Sequence, residues 1–466
     1  MRTLPVWFRS HPTLSILLAV AAIFTATHFF LNWKAERRWQ AYVNEGRARG
    51  VKFDLTEFAP PKIPDEENFA ALPMMRAIMQ PGAKNPLALT KGQLPSVGSP
   101  EKGKRFDWRE WQRYFKDEGF ISATTDSAPR DVLLALERFD PQLQEWREWR
   151  TRPRCQFDLD LQAGYAMPVP HLGLLKKAPE IFALRMRAHL ALGDSAAACE
   201  DFRDGFQAYR ALAEEPTAAS AFVKMAVLKT LISSAADALI DRSWSETDLR
   251  RIDAELGAVQ IRKDYQLAEA SERAFCNGFC DLIREAGFRK RVQLWFGGIK
   301  TKLTWESGLV ASLPSRVFRD NQLRINQHFD ELDAKVSSDG ARFAPDRETP
   351  NSPENLRGLD TYYYFLHLAF RPLFERGMNQ FISTQTLVDQ FRIAMALERF
   401  RMARGAHPET LSQLVPNFML ELPRDTFSGE PMIYRRTEGD RFFLYSVGRD
   451  KNDDGGTKKT DAVWPY

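Results

Sequence analysis

Cysteine is scarce in this chain, which holds only Cys155, Cys199, Cys276 and Cys280 among its 466 residues. Four cysteines are too few to cross-link a fold of this length, so a disulfide scaffold is excluded. Cys276 and Cys280 stand four residues apart in a helical pattern and therefore share one face. We predict two buried thiols there, with a bridge in an oxidising compartment as the alternative. The number and spacing of the cysteines do not show whether the protein lies in an oxidising or a reducing compartment.

The sequence also lacks the common catalytic motifs. It contains no zinc-binding helix motif, nucleophile elbow or dinucleotide-binding glycines, and in the segment Gly98–Arg105 an arginine replaces the Ser or Thr of a phosphate loop. The seven histidines are scattered, and we predict His171, His189 and His367 to be packed or surface residues rather than bases. The sequence therefore assigns no catalytic and no cofactor-binding residue, and we favour a non-enzymatic role.

A strong excess of charge of one sign is absent as well. The chain has 65 basic and 61 acidic residues, for a formal net charge of +4. A nucleic-acid-binding protein concentrates basic residues on one face, so we expect no nucleic-acid partner. Hydrophobic residues make up 44% and charged residues 27% of the chain, which is typical of folded globular proteins.

One long apolar run is present near the amino terminus. Leu14 to Trp33 contains no charged residue. At about 1.5 Å per residue, a helix of this length spans about 30 Å, the thickness of a bilayer's hydrocarbon core. A cleaved signal peptide is the alternative, but this run is longer than the apolar core of such peptides and no small-residue cleavage site follows it. We predict an uncleaved single-pass transmembrane anchor.

The basic residues that flank the anchor predict one membrane orientation, whereas other features of the chain predict the opposite one. Arg2 and Arg9 precede it, whereas Lys34, Arg37 and Arg38 follow it. The count of basic residues places the carboxyl-terminal side in the cytoplasm. The short amino-terminal tail and a calcium-type loop near the carboxyl terminus favour the opposite orientation. We predict that the soluble body is extracytoplasmic.

The middle of the chain is helical in its periodicity. Ile181 to Leu192 and Ser195 to Leu212 flank a Gly193-Asp194 turn, and this hairpin is similar to those of tetratricopeptide repeats. No 34-residue period recurs, so we predict an irregular array of helical hairpins in a mainly α fold. The predicted organisation is an amino-terminal tail (1–13), a transmembrane anchor (14–33), a membrane-proximal helix with a Pro-rich loop (34–105), the helical array (106–376) and a small α+β module (377–466).

The predicted module combines a helix with two strands. Gln380 to Arg404 forms a long amphipathic pattern, and Gly405 suits the left-handed backbone that ends many helices. Met432 to Arg435 and Arg441 to Val447 are typical of antiparallel strands joined by a short turn.

The segment after the second strand has the spacing of a calcium loop. Asp450, Asn452 and Asp454 would offer side-chain oxygens, Gly456 a carbonyl oxygen, and Asp461 the closing carboxylate. Asp461 is shorter than the usual glutamate and would bind through one oxygen. The same residues suit a polar turn without metal, so calcium is the predicted cofactor and a metal-free turn is the alternative.

These motifs resemble the globular domain of the major pseudopilins of type II secretion systems. The similarity is carried by the turn Pro423-Arg-Asp425-Thr-Phe-Ser-Gly429-Glu-Pro431 and by Tyr445-Ser446-Val-Gly448-Arg-Asp450, which correspond to the family's Pro-x-Asp-x-x-Gly-x-Pro turn and Ser-x-Gly-x-Asp loop. The resemblance covers residues 377–466 and implies a calcium-stabilised α+β module. In the family the membrane helix directly precedes this module, whereas residues 34–376 intervene here and the anchor contains no glutamate.

Three functions follow as hypotheses. The first is a membrane-anchored envelope protein that binds a protein partner or acts as a scaffold; the whole chain resembles uncharacterised bacterial proteins of this layout, for which no activity is implied. The second is an accessory component of a type II secretion or pilus-like apparatus. The third is a hydrolase with a site on the helical body. A pocket with converging carboxylates or histidines would favour the third.

Overall fold

The computed structural model describes residues 12–89, 95, 106–150, 152–296, 312–336, 343, 363–457 and 460–464. Residues 1–11 of the predicted tail and most of the segment rich in Pro and Lys that includes Gly98–Arg105 lie outside the described residues.

The first described element is one uninterrupted helix, α1 (Pro12–Ala48). Its apolar part is long enough to cross a membrane, and none of its most hydrophobic 18-residue window is buried against the protein. Beyond Trp33 the same helix turns buried, because Ala35, Trp39 and Val43 pack on the body. A helix long and apolar enough to span a bilayer is therefore confirmed among the described residues.

Most of the remaining described chain is helical, and its helices pack against one another in one body. Its helices are α2 (Pro73–Ile78), α3 (Trp108–Asp117), α4 (Ala128–Leu136), α5 (Asp140–Trp149), α6 (His171–Ala191), α7 (Ser195–Ala211), α8 (Ala218–Ile240), α9 (Glu246–Gly257), α10 (Ile261–Glu285), α11 (Phe288–Phe296), α12 (Ser315–Asp333) and α13 (Phe365–Arg404). The mainly α fold is thus confirmed, while a tetratricopeptide-like repeat stays a prediction.

The hairpin of α6 and α7 shows how local sequence sets this packing. Gly193 adopts φ +83°, a left-handed conformation that glycine tolerates without strain. Asp194 then caps α7, since its side chain accepts a hydrogen bond from the amide of Ala197 at 2.9 Å. Within α7, a Cβ on Gly205 would lie 2.7 Å from Leu231 of α8. Glycine therefore permits the close approach of these two helices.

Helix α13 links the body to the carboxyl-terminal module. It runs unbroken through Pro372 and ends where Gly405 adopts φ +84°. The predicted boundary between residues 376 and 377 falls inside this helix. Phe381 contacts rings of the body, Phe222 at 6.1 Å and Tyr265 at 5.4 Å between centroids. The predicted module helix is therefore the second half of a longer helix that also belongs to the body.

The module's sheet has three antiparallel strands in the order β1-β2-β3. β1 (Ile433–Thr437) and β2 (Arg441–Ser446) form the hairpin predicted from the sequence, and the two-residue β3 (Ala462–Val463) pairs with the end of β2. Directly after β3, the amide of Trp464 donates to the carbonyl of Leu444 at 2.9 Å.

The module and the body share one hydrophobic core. Trp464 is almost fully buried and stacks on Phe391 of α13, with ring centroids 5.8 Å apart. In the same core cluster lie Trp146 and Phe182 of the body. A buried aromatic pair of this kind contributes about 0.5–1.5 kcal/mol beyond the area that it removes from water. The sheet is thus fixed to the helical body by its last strand.

All four cysteines are free thiols, and for Cys276 and Cys280 this agrees with the prediction. Cys199, Cys276 and Cys280 are buried, and Cys155 is half-buried. Burial in apolar surroundings raises the pKa of the Cys280 thiol, because it disfavours the thiolate. These thiols fill the core and are not reactive groups.

Candidate functional site

The loop predicted to bind calcium lies between β2 and β3. Asp461 is buried, with only 5% of its surface exposed. Its Oδ2 atom accepts hydrogen bonds from the amides of Gly456 and Thr457, both at 2.8 Å. Its Oδ1 atom is buried and has no hydrogen-bond partner among the described residues. The carboxylate therefore closes the loop on itself and keeps one oxygen unused.

The other predicted side-chain ligands point away from the protein. Asp450, Asn452 and Asp454 are all exposed. Asp450 accepts a hydrogen bond from the amide of Asn452 at 3.2 Å, which is a local turn contact. Of the five predicted residues, Gly456 contacts Asp461 and Asn452 contacts Asp450, and no hydrogen bond among the described residues joins these two pairs.

Asp453, which was not among the predicted ligands, stabilises the loop. Its Oδ1 accepts from the Tyr445 hydroxyl at 2.7 Å and from the amide of Gly455 at 2.9 Å. The bond from Tyr445 lowers the pKa of the Asp453 carboxyl. Burial, together with the Asp453 charge, raises the pKa of Tyr445 to about 12.

Two glycines are required by this loop. A Cβ on Gly448, at φ +70°, would lie 2.0 Å from the carbonyl oxygen of Thr460. A Cβ on Gly456, at φ +83°, would lie 2.2 Å from the ring of Phe443. At Gly448 and Gly456 the positive φ angle and the nearby atoms both require glycine, so these two glycines are explained without a metal.

The fit of a divalent ion is partial. Among the described residues, no group of three or more His, Cys, Asp or Glu side chains lies close enough together to hold a metal ion. Calcium accepts six to eight oxygen ligands, including backbone carbonyls and water, so carboxylates need not supply all of them. The unused Oδ1 of Asp461 is the one buried oxygen of the predicted set that is ready for a cation.

Asp425, in the Pro-x-Asp turn, binds the module together. It is 2% exposed, and its Oδ1 accepts from the Ser446 hydroxyl and from the amide of Phe427 at 2.9 and 2.8 Å. Its Oδ2 accepts from the amide of Val447 at 2.9 Å. Three donors therefore satisfy this buried charge, and they tie the turn to the end of β2.

A cleft of about 920 Å³ lies between the helical body and the module. Its walls are the ends of α6 and α8, the carboxyl-terminal part of α13 and the turn that joins β1 to β2. Aromatic, cationic and acidic side chains line it; those used below are Phe106, Trp108, Arg187, Asp237, Ile240, Asp241, Arg242, Glu398, His407, Asp440 and Phe442.

One wall of the cleft is built around Arg187. This buried guanidinium forms an ion pair with Asp237, donates to the carbonyl of Ser233 at 3.3 Å, and lies 5.0 Å from the centre of the Phe106 ring. Its Nε is buried and lacks a hydrogen-bond partner among the described residues. A buried donor without an acceptor costs about 1–3 kcal/mol.

The opposite wall carries Glu398 and His407. Glu398 is held by two bonds from Arg401, at 2.8 and 2.7 Å, and this contact raises the pKa of the arginine. Burial lowers the pKa of His407. Its ring Nδ1 lies 3.3 Å from the carbonyl of Leu397, and its amide donates to Asp440 at 3.1 Å.

Arg242 spans the mouth of the cleft from the body to the module. Its guanidinium donates to both the carbonyl and the carboxylate of Asp440, each at 3.3 Å. Arg242 adopts φ +54°, and Asp440 adopts φ +53°. Left-handed backbone at a non-glycine residue is uncommon, and strain of this kind is concentrated at functional sites.

Comparisons with protein-family models, with curated proteins and with solved structures find no match to this chain.

Most of the acidic side chains that line the cleft are paired with arginines. Asp237, Glu398 and Asp440 each contact an arginine. A fourth carboxylate, Asp241, is exposed at the edge. Arginine and aromatic side chains are the residues most enriched at protein interfaces. The cleft is equipped to bind a ligand that carries both polar and apolar groups.

Sequence reasoning did not find this cleft. Arg242 and Asp440 are 198 residues apart, and neither belongs to a recognisable motif. Two local signals were present, namely the Trp108 aromatic run and the Gly439-Asp440 turn, but each is explained by packing alone.

Proposed function

We propose that the chain is a membrane-anchored, non-enzymatic protein that binds a protein partner in the cleft between its helical body and its carboxyl-terminal module. The observation that carries this proposal is the pairing of the cleft's acidic side chains with arginines. Paired groups of opposite charge are the polar elements by which protein interfaces select their partners.

The shape and chemistry of the lining support a polypeptide ligand. Phe106 and Trp108 form an edge-to-face pair with centroids 4.6 Å apart, and Phe442 is half-buried on the opposite side. Aromatic surfaces of this kind act as anchors for partner side chains at interfaces. Arg187, whose guanidinium lies 5.0 Å from the centre of the Phe106 ring, adds a positive charge to this wall.

Photo-cross-linking of the full-length protein tests the proposal. We would place a benzophenone side chain at Ile240, which lines the cleft and is 38% exposed, and at Leu420, which is 92% exposed and does not line it. The expected result is a discrete adduct with one polypeptide from Ile240 and none from Leu420. Adding Arg187→Met to the Ile240 probe should weaken the adduct several-fold. Equal cross-linking at both positions contradicts the proposal.

We also propose that α1 anchors the protein in the bilayer and that the body is extracytoplasmic. The exposed apolar surface of α1 supports the anchor. The short amino-terminal tail and the calcium-type loop support the orientation, whereas Lys34, Arg37 and Arg38 count against it.

We propose further that calcium binds beside Asp461. The unused Oδ1 of this residue supports the proposal, because a buried carboxylate oxygen without a donor gains most from a cation. Asp450, Asn452 and Asp454 are exposed in the same loop, and Gly456 contacts the Asp461 carboxylate through its amide.

A role in a type II secretion or pilus-like apparatus is the second candidate. What supports it is the arrangement of the module: a long helix, then the Asp425 turn, a hairpin and a Gly-rich loop, in the order typical of pseudopilins. This candidate predicts that the partner cross-linked at Ile240 is a pilin-like protein. A hydrolase instead predicts a turnover that Glu398→Gln abolishes while binding persists.

A further inference from the structure

The end of α1 that leaves the apolar run lies close to two elements distant in sequence. The side chain of Asn32 accepts a hydrogen bond from the amide of Arg316, in the first turn of α12, at 3.0 Å. Leu313, three residues earlier, accepts at its carbonyl from Arg291 of α11 at 2.8 Å. Helix α11 is therefore held at the level where the apolar span ends.

Arg291 fixes the position of α11. Besides its bond to Leu313, it donates to the carbonyls of Ile283 and Arg284 at the end of α10, at 3.0 and 2.8 Å. Its guanidinium also lies 4.6 Å from the centre of the Phe318 ring. Four contacts therefore hold α11 by its inner side.

The outer side of α11 is basic and partly apolar. Phe288 is 45% exposed, and Arg289, Lys290 and Gln293 are exposed beside it. On the neighbouring end of α10, Leu282 is 42% exposed. Large apolar side chains next to basic ones are the pattern by which helices lie at a membrane surface.

The acidic side chains at this end of the protein are occupied by arginines. Asp281 and Glu36 both bind Arg319, at 2.9 and 2.8 Å, and Asp320 binds Arg38 at 2.6 Å. These contacts neutralise the local carboxylates. The basic residues that surround the end of the span, here called the basic rim, are Lys34, Arg37, Arg289, Lys290 and Arg316.

We propose that the basic rim binds the headgroups of anionic lipids, with Phe288 in the interfacial layer, so that the protein holds the membrane at a second contact beside its anchor. Charge complementarity and continuity with the apolar span identify the occupant as a lipid surface. Each basic residue near an anionic membrane contributes about a fivefold preference for it. The basic rim thus holds the body close to the bilayer, instead of leaving it attached to the membrane through α1 only. This inference rests on the proposed insertion of α1.

An environment-sensitive fluorophore at Gln293→Cys, in the full-length protein reconstituted into vesicles, tests the proposal. Labelled wild-type protein reports background reaction of its own thiols, and Leu420→Cys provides an exposed control. In vesicles with about 30% phosphatidylglycerol and nitroxide-labelled headgroups, we expect quenching at position 293 at least about twofold greater than at 420. This quenching should fall by half or more in nitroxide-labelled vesicles in which phosphatidylcholine replaces the phosphatidylglycerol.

Charge reversal provides the matched variant. Arg289→Glu with Lys290→Glu, both exposed, should remove the dependence on anionic lipid while leaving the fold intact. The proposal is overturned if quenching at position 293 equals quenching at position 420. It is also overturned if quenching at position 293 does not depend on lipid charge. Recovery of the protein in the vesicle fraction after alkaline extraction is measured in parallel. Extraction of the protein refutes the anchor, whereas a retained protein without quenching refutes only the lipid contact.

Discussion

Tyr42 donates its hydroxyl hydrogen to Oδ2 of Asp330 at 2.5 Å, and this bond joins α1 to the helical body. Asp330 also accepts from Arg273 at 2.9 Å, and Arg273 in turn donates to Asp333 at 3.0 Å. The hydroxyl thus enters a charged network that couples α1, α10 and α12. Burial raises the pKa of Tyr42, and the Asp330 charge adds to this effect.

We predict that Tyr42→Phe loosens the packed part of α1. A hydrogen bond to a charged group contributes about 1.5–3 kcal/mol, so backbone hydrogen exchange over residues 34–48 should accelerate roughly tenfold or more. Tyr434→Phe is the matched control, because it removes a bond to the neutral carbonyl of Pro408 at 2.7 Å within the module. Its effect should be confined to the module. A uniform change in both variants would disprove the local role of Tyr42.

Asp425→Asn should destabilise the module strongly. The substitution places an amide group against three donors, so at least one donor loses its acceptor, at a cost of about 2–3 kcal/mol. Ser446→Ala removes one donor and leaves the carboxylate its other two, so its cost should be about 1 kcal/mol. Urea unfolding followed by a probe in the module measures both. Equal costs would show that Asp425 is not the centre of this network.

Calcium should raise the melting temperature of the full-length protein in detergent. At a concentration 100-fold above the dissociation constant, binding adds about 2.7 kcal/mol to the free energy of unfolding. Asp461→Asn should abolish the calcium effect, and Glu421→Gln, at an exposed position away from the loop, should leave it unchanged. No shift at millimolar calcium would eliminate the site and leave the metal-free turn.

Asp389 should make stability depend on pH. Burial, with the nearby Asp425 charge, raises the pKa of this carboxyl from 3.8 to about 7, against the opposing effects of Gln385 and Arg392. Between these values the folded state binds a proton that the unfolded state has lost, so stability falls as pH rises, by about 1.4 kcal/mol per pH unit.

Asp389→Asn should remove this dependence. The amide keeps an acceptor for Gln385, which donates to Asp389 at 3.0 Å. The variant should therefore be more stable than the wild type at about pH 8 and no more stable at about pH 4. Thermal unfolding across this range measures the difference, and parallel curves for the two proteins would contradict the assignment.

Labelling at position 420, where Leu420 is replaced by cysteine, reports on which side of the membrane the body lies. A cysteine at this exposed position should react with a membrane-impermeant maleimide in intact cells if the body is extracytoplasmic, as proposed. Wild-type protein corrects for its own thiols. Labelling only after lysis would place the body in the cytoplasm, in accord with the basic residues after the span.

The elements predicted correctly are those whose signals are local. The apolar run that ends at Trp33 needs no tertiary contact to be recognised, and Gly193 with Asp194 encodes the turn and cap of the α6–α7 hairpin directly. The β1–β2 hairpin follows from alternating strands around a turn that contains Gly439.

The features that were not predicted depend on distant residues. β3 has only two residues and no pattern of its own, so it exists because β2 offers an edge. Helix α13 continues through Pro372, where sequence alone favours a break. The inward position of Asp461 is set by two amides of its own loop, and the cleft arises where the module docks on the body. Spacing between acidic residues could not reveal either feature.

The lack of a break in α1 has a mechanical consequence. Its 37 residues form a rod about 55 Å long, apolar and exposed at one end and packed on the body at the other. Its proline, Pro12, is the first residue of the helix, so no proline interrupts the rod, and a rotation of the apolar end would turn the body with it. With α1 inserted as proposed, membrane thickness would therefore affect the direction in which the cleft opens.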